Sequence, residues 1–290
     1  MPELPEVEGV VRSLAPVSAG RTIHSVKISE TVLSAKQIGK EAIVKGITSE
    51  DFISEMAGMK ILALTRRSKY IYFHVERDEE PYLLVSHLGM TGAWFVVDTL
   101  DDIKEDRFRR HVHVTFEMAD GGLLVYSDIR RFGELRLVRA ESDYPPLLEM
   151  APEPFSDEAL QHFLAMCETP KYARKPIKEV IMDGHVISGC GNIYATEALY
   201  KMKIHPNRSA GRISKERKIE LFRTIVDVLQ ESIRAGGSSI SDYRNINGEA
   251  GTMQERLKMY GKKFCPECGT GTKSLKIAGR TSVYCPSCQH

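Results

Sequence analysis

The chain has 290 residues, 42% of them hydrophobic, with a formal net charge of only +1, which allows two domains with a core each and gives no overall bias toward a polyanion. No apolar run of about 18 residues and no basic-then-apolar leader is visible, which argues against a membrane span or signal peptide and for a cytoplasmic, nucleoid-associated protein. The charge is uneven: residues 201–290 carry 17 Lys+Arg and 8 Asp+Glu, a balance of +9, against 23 and 31, a balance of −8, in residues 1–200. A basic C-terminal module that meets phosphate is one reading; a solvated basic face is the plainer one.

The chain opens Met1-Pro2-Glu3-Leu4-Pro5-Glu6-Val7-Glu8. Removal of Met1 would leave Pro2 with a free secondary amine. An α-amine has a reference pKa near 7.7 to 8, so roughly a tenth to a quarter is unprotonated near pH 7.2, against well below about one per cent for a lysine. A secondary amine that attacks a carbonyl-like carbon gives an iminium ion directly, and Glu3 next to it is placed to move protons. The same residues also start a helix well, through the fixed φ of proline and acidic groups at the positive end of the dipole. The two readings are compatible.

Pro5 to about Leu14 is predicted as a helix, with Val7, Val10, Val11 and Leu14 on one face. From there to Val138 the texture is short β-rich runs: 22–28, 60–65, 70–75, 82–86, 94–97, 111–116, 123–126 and 134–138, which predicts a β-sandwich or barrel. Three turns carry residues that a core has no use for. Arg66-Arg67-Ser68-Lys69-Tyr70 is a basic hairpin or a site. His87-Leu88-Gly89-Met90-Thr91-Gly92 puts an unbranched apolar side chain at a glycine-bounded bend, either as core or as a wedge between bases. Asp128-Ile129-Arg130-Arg131-Phe132-Gly133 sets two cations beside an aromatic, able to read and stack on a base or to form a salt-bridged corner.

Four prolines between Ser142 and Phe155 mark a linker. Helices are then predicted over 157–165, 175–182, 193–201 and 214–235, the last stopped by Gly236-Gly237. Ser188-Gly189-Cys190-Gly191-Asn192 precedes the third of them, a turn and helix start that suits a phosphate. Residues 236–251 are polar and aperiodic, as in a loop. Cys265-Pro-Glu-Cys268 and Cys285-Pro-Ser-Cys288 are two CxxC pairs with 16 residues between them, the spacing of a structural Zn2+ site on a hairpin. Four thiolates leave no open coordination position. Lys273, Lys276 and Arg280 lie in the intervening segment.

Together these stretches resemble the formamidopyrimidine-DNA glycosylase family of base-excision repair enzymes, from PELPEVE through RRSKY, HLGMTG, RRFG and GNIYA to the two CxxC pairs, so the resemblance spans essentially the whole chain. It implies an α+β protein: an N-terminal catalytic β-sandwich flanked by helices (1–141), a linker (142–155), a helix-two-turns-helix DNA-binding domain (156–252) and a zinc-finger hairpin (253–290). It further implies a monomer that acts on double-stranded DNA containing oxidised bases or abasic sites, holds one structural Zn2+ and combines glycosylase with abasic-site lyase activity. In that pattern Pro2 is the nucleophile at C1′, Glu3 the acid/base, Lys69 the lysine near the damaged nucleotide and Glu6 a carboxylate that arranges the site. Met90, Arg130 and Phe132 fill the gap left by the flipped base and contact its partner. His111, Lys175, Asn192 and Arg280 hold the DNA backbone, and Cys265, Cys268, Cys285 and Cys288 bind zinc.

Two departures stand out. The run Ser238-Ser239-Ile240-Ser241 occupies the place of a basic residue near the base pocket, which leaves lesion preference open, and Gly9 replaces a polar position in the first helix. The competing readings are the related endonuclease VIII, which prefers oxidised pyrimidines but usually has Gly after Glu3 where this chain has Leu4, and a non-catalytic DNA-binding paralogue, against which Pro2, Glu3 and Lys69 argue.

Overall fold

A computed structural model describes residues 2–40, 42–238 and 251–290. Met1 and Ser241, and most of the loop expected over 236–251, lie outside the described residues. The chain forms two compact units, one of residues 1–148 with 236–251, the other of residues 149–235 with 252–290.

The first unit begins with α1 (Leu4–Ser18), followed by β1 (Ile23–Ile28), α2 (Glu30–Gln37), β2 (Ile43–Val44) and α3 (Ser49–Met56). Then come β3 (Lys60–Arg67), β4 (Tyr70–Arg77), β5 (Glu80–His87), β6 (Gly92–Val97), a one-turn α4 (Asp106–Arg109), β7 (Val112–Met118), β8 (Leu123–Asp128), β9 (Glu134–Val138) and a one-turn α5 (Pro145–Leu148). All eight predicted strands are present. One sheet has the order β1-β7-β8-β6 and the other β2-β9-β5-β4-β3. Their inner faces and α1 share one core that includes Val7, Leu14, Phe73, Trp94, Phe116 and Tyr126, which makes the architecture a β-sandwich with helices against it.

Period-2 alternation explains why β6 serves two cores. Trp94 points inward, with its ring 4.9 Å from Phe73 and 5.1 Å from Tyr126, and its indole N–H donates to the Ser86 hydroxyl at 3.1 Å. Ala93 and Phe95 point outward into a smaller core closed by Phe108 of α4. Truncation of Trp94 to alanine would cost about 3–5 kcal/mol of cavity and lost burial.

The stretch 29–59, left blank between predicted strands, holds α2, β2 and α3. Helix α3 carried a readable start: the Thr48 hydroxyl accepts the Asp51 N–H at 3.0 Å, and Phe52 and Met56, one turn apart, are buried. Strand β2 has only two residues, with Ile43 at φ +60°, and no periodicity can announce so short an element.

The second unit is helical: α6 (Ala159–Glu168), α7 (Pro170–Ala173), α8 (Ile177–Met182), α9 (Asn192–Lys201), α10 (Lys215–Arg234) and α11 (Met253–Arg256), followed by the hairpin β10 (Lys273–Ile277) and β11 (Arg280–Tyr284). The helix expected over 175–182 starts later, at Ile177, because Pro176 takes the extended conformation before it. Ser214 caps α10, accepting the Arg217 N–H, and Gly236 follows it at φ +74°. The helices share a core around Phe163, Tyr194, Leu221, Ile225 and Leu229. Among the described residues no helix is long and apolar enough to cross a membrane.

Candidate active site and nucleic-acid interface

Pro2 and Glu3 immediately precede α1 and are buried, as is Glu6. Pro5 stands in the first turn, where its missing N–H leaves no gap. Glu6 fixes this terminus from both sides: its Oε2 accepts the Glu3 N–H at 2.8 Å and its Oε1 accepts the Ser238 N–H at 2.6 Å. Gly237, at φ +83°, makes the second bond possible, since a Cβ there would lie 3.1–3.3 Å from Glu6 atoms. Glu6 thus joins the Pro2-Glu3 end of the chain to the entry of the 236–251 segment.

Lys69 lies in the two-residue turn between β3 and β4, after Ser68 at φ +55°. The preceding Arg66 is largely buried and pairs with Glu8 of α1 at 2.9 Å, while its second nitrogen donates to the Ser68 carbonyl at 3.0 Å. Burial pushes the Glu8 carboxyl up, but hydrogen bonds from Arg66 and Arg12 hold it below its usual value. This pair ties the helix that carries Pro2, Glu3 and Glu6 to the turn that carries Lys69. Burial, and next the charge of Lys69, lowers the pKa of His87 to about 4, so the Lys69 ammonium shares its surroundings with a neutral imidazole.

Met90 follows Gly89, which cannot be replaced cheaply: at φ +59° a Cβ would meet the backbone of Phe132 and Gly133 at 2.5–2.7 Å. The Met90 turn and the Arg130–Phe132 turn therefore touch through backbone. Met90 is half-buried, and Arg130 and Phe132 are exposed, Phe132 by 56%. The Arg130 guanidinium sits 4.7 Å from the Phe132 ring centre, a planar cation over an aromatic face that both present outward.

The corner holding these turns is hydrogen-bonded. Asp128 is fully buried. Its Oδ1 accepts the Thr91 hydroxyl at 2.5 Å and the Arg130 N–H at 3.2 Å, and its Oδ2 accepts the Gly133 N–H at 2.7 Å. Its own N–H donates to the carbonyl of His111 at 3.0 Å. His111, in turn, has Nδ1 2.6 Å from the Arg107 carbonyl. The first unit so brings Met90, Arg130, Phe132 and His111 onto one connected group of turns.

In the second unit Asn192 is the first residue of α9, and its Nδ2 donates to the carbonyl of Thr281 at 3.2 Å, directly after Arg280, while its Oδ1 is buried with no hydrogen-bond partner. Arg280 is exposed beside a tight turn whose two central residues, Ala278 and Gly279, both have positive φ, the geometry that follows the twist of a hairpin. Asn192 is thus tied to the hairpin beside Arg280, and Lys175 is paired with Glu179 at 2.7 Å, a bond that raises the lysine's pKa.

The four cysteine Sγ atoms lie within 4.8 Å of one another. Cys268 is 3.6 Å from Cys285 and 3.4 Å from Cys288, and Cys265 is 3.9 Å from Cys288. Four thiolates about 2.3 Å from a tetrahedral zinc would be about 3.8 Å apart, so the donor set and its spacing fit one structural Zn2+. Cys265, Cys285, Tyr200 and Met259 form a small core there.

Two supporting acids escaped the sequence reading. Asp128 stood inside a motif in which only its neighbours drew notice. Glu197, buried on α9, accepts the N–H groups of Lys258, Met259 and Tyr260 at 2.7–2.9 Å and so fastens the lead into the zinc hairpin. Its only signal was an acid on a helix otherwise lined by Ala195, Ala198 and Leu199.

Comparison with known proteins covers the chain in three segments. Residues 1–135 match the formamidopyrimidine-DNA glycosylase N-terminal domain, 150–244 the formamidopyrimidine-DNA glycosylase H2TH domain, and 262–290 the zinc finger found in FPG and IleRS. A formamidopyrimidine-DNA glycosylase of Bacillus licheniformis is 34% identical over all of this chain and 99% of its own length. Among solved structures, a mutant Lactococcus lactis FPG in complex with DNA containing Fapy-dG superposes with a TM-score of 0.83 at 33% identity, covering 99% of each chain. The Lactococcus lactis protein in complex with DNA containing an abasic site gives 0.81 at 31%, covering all of each chain.

Proposed function

Since this chain belongs to the formamidopyrimidine-DNA glycosylase family, we propose that it removes oxidised purines such as 8-oxoguanine and formamidopyrimidines from double-stranded DNA through an imine at Pro2, and then cleaves the abasic strand. The observation that carries this reading is the N-terminus itself. Pro2 stands at the head of a helix anchored in the sandwich, directly before Glu3, whose N–H is held by the Glu6 carboxylate.

The chemistry follows from these positions. An amine cannot reach C1′ inside a stacked duplex, so the damaged nucleotide leaves the helix, at a cost of a few kcal/mol that Met90, Arg130 and Phe132 offset by filling the gap and engaging the partner base. The lone pair of Pro2 attacks C1′ and the glycosidic bond breaks, its electrons leaving with the base. The N–H proton that Pro2 gives up once bonded to C1′ passes to Glu3, which delivers it to the ring oxygen as the nitrogen lone pair expels O4′ from C1′ and forms the iminium. That cation acidifies C2′; loss of its proton expels the 3′-phosphate, and a second elimination expels the 5′-phosphate. Lys69 supplies positive charge beside the reacting nucleotide.

His111, Lys175, Asn192 and Arg280 hold phosphates without reading sequence, and the zinc site serves only to shape the hairpin that presents Arg280. The domain division 1–141, 142–155, 156–252 and 253–290, a monomeric state and a cytoplasmic, nucleoid-associated location belong to the same proposal.

The test is borohydride reduction of Met-processed protein with a duplex carrying 8-oxoguanine opposite cytosine. A covalent complex that disappears in Pro2→Gly, or when Met1 is retained, is the expected result. Trapping only on a thymine-glycol duplex would move the protein to the pyrimidine branch, and tight binding without trapping on either would leave a non-catalytic lesion binder.

A further inference from the structure

The Met90 turn and the Arg130–Phe132 turn meet at a fully buried side chain, Asp128. We propose that Asp128, acting with Thr91, is a positioning residue that makes these two turns a single rigid insert, so that the wedge and the partner-reading arginine enter the duplex together. The inference rests on the glycosylase reading above and deepens it, by assigning duplex-dependent steps to a group other than Pro2.

Three observations converge on this corner. Gly92 and Asp128 face each other across the β6–β8 pair, so the two turns emerge from adjacent strands of one sheet. Both Asp128 oxygens are committed: Oδ1 to the Thr91 hydroxyl and the Arg130 N–H, and Oδ2 to the Gly133 N–H. Thr91 closes the ring, since its hydroxyl oxygen also accepts the Arg130 N–H at 2.9 Å. One hydroxyl, carried by the residue after Met90, thus touches both the buried carboxylate and the backbone of Arg130.

A second ring of contacts sets the position of Asp128 itself. Its N–H donates to His111 and its carbonyl lies 3.1 Å from Nε2 of the buried His113, whose Nδ1 is 2.9 Å from the Ser29 hydroxyl. Glycines 89, 92 and 133 let the turns pack more closely than any side chain would permit, because a Cβ on any of them would collide with backbone or with the Tyr126 hydroxyl. With the backbone crowded and the carboxylate bonded at both oxygens, the insert has one arrangement. Unstacking a base is costly, so a wedge ordered beforehand spends none of its contact energy on becoming ordered.

Full-length Met-processed Thr91→Val, Thr91→Ser and Asp128→Asn would be compared with wild type by single-turnover excision of 8-oxoguanine opposite cytosine and opposite adenine, and by borohydride trapping on a single-stranded abasic oligonucleotide. The last requires Pro2 chemistry but no wedge. Thr91→Val keeps the shape and removes the hydroxyl; it should slow duplex excision by about tenfold and narrow the cytosine-to-adenine ratio, with single-strand trapping within about twofold of wild type. Thr91→Ser should restore both. Asp128→Asn, which turns a donor toward the Gly133 N–H, should lose more on the duplex, with Trp94 emission as a check of the sandwich.

An unchanged excision rate and base ratio in Thr91→Val, or an equal loss on single-stranded abasic DNA, would overturn the coupling while leaving the glycosylase reading intact. Wild-type protein that traps neither substrate would overturn that reading and the coupling with it.

Discussion

The sandwich and the zinc hairpin both present cations outward, yet they hold them by different physics. Met90, Arg130 and Phe132 ride on turns braced by the buried Asp128 at the edge of a two-sheet core. Arg280 rides on a two-stranded hairpin whose Lys273, Ser274 and Lys276 are exposed, above a core of only four buried residues. An isolated two-stranded hairpin is marginal in water, and a segment this short buries too little to order itself. The first arrangement is stabilised by burial and hydrogen bonds, the second by coordination.

The largest expected effect separates them by metal removal. Structural zinc in small modules contributes about 10–16 kcal/mol of apparent folding free energy, so a strong chelator should unfold the hairpin, expose the four thiols to a thiol reagent and weaken duplex binding by at least about tenfold. The single tryptophan, Trp94, lies in the sandwich core and should keep its native emission throughout. Loss of the Trp94 signal together with the metal would show that the sandwich needs the zinc as well, and would break the comparison.

A smaller effect is expected at Glu197, which fastens the hairpin's lead to α9. Three backbone N–H groups converge on its carboxylate; Glu197→Gln removes the charge and turns an amide donor toward one of them. A loss of about 2–3 kcal/mol is expected, read as faster hydrogen exchange at residues 258–260. Protection in the sandwich strands should be unchanged. Equal loss in both units would mean that the bond braces more than the hairpin.

How much was legible in the sequence follows the same division. The eight strands were readable as short runs rich in β-branched and aromatic residues separated by turn signals such as Asp120-Gly121-Gly122. The zinc site was readable because its ligands come in two local pairs. Asp128, Glu197 and Gly237 were not, since their partners are Thr91, residues 258–260 and Glu6, far away in sequence. The hydroxyl that Asp128 binds and the backbone N–H groups that Glu197 binds lie so far along the chain that no spacing announces them. Arg66 shows the opposite limit: within a run of three cations it read as part of a basic hairpin or of a site, but it is largely buried against Glu8.

The smallest effect concerns pH. In the sandwich, burial lowers the pKa of His113 below its usual value, and burial with Lys69 lowers that of His87 to about 4. The His87 ring must be neutral in the fold, since its Nδ1 accepts the Gly89 N–H at 3.2 Å at the base of the Met90 turn. An unfolded histidine takes up a proton near pH 6.5, so below that pH the unfolded chain binds more protons and the sandwich loses stability until the folded pKa is reached. From His87 alone the loss is about 1 kcal/mol at pH 6 and about 2 at pH 5. In the helical unit the signs are mixed. Hydrogen bonding to Asp183 raises His185, so its contribution is fully present below pH 6.5 and is lost as pH rises through its folded value; burial lowers His205, which acts the other way. Mild acid should therefore lower the urea midpoint of the Trp94 transition more than that of the α10 amides followed by hydrogen exchange, and His87→Asn should flatten the Trp94 profile between pH 6.5 and 4. Parallel profiles in the two units, or an unchanged slope in His87→Asn, would mean that the imidazole beneath the Met90 turn is not what makes the sandwich acid-sensitive.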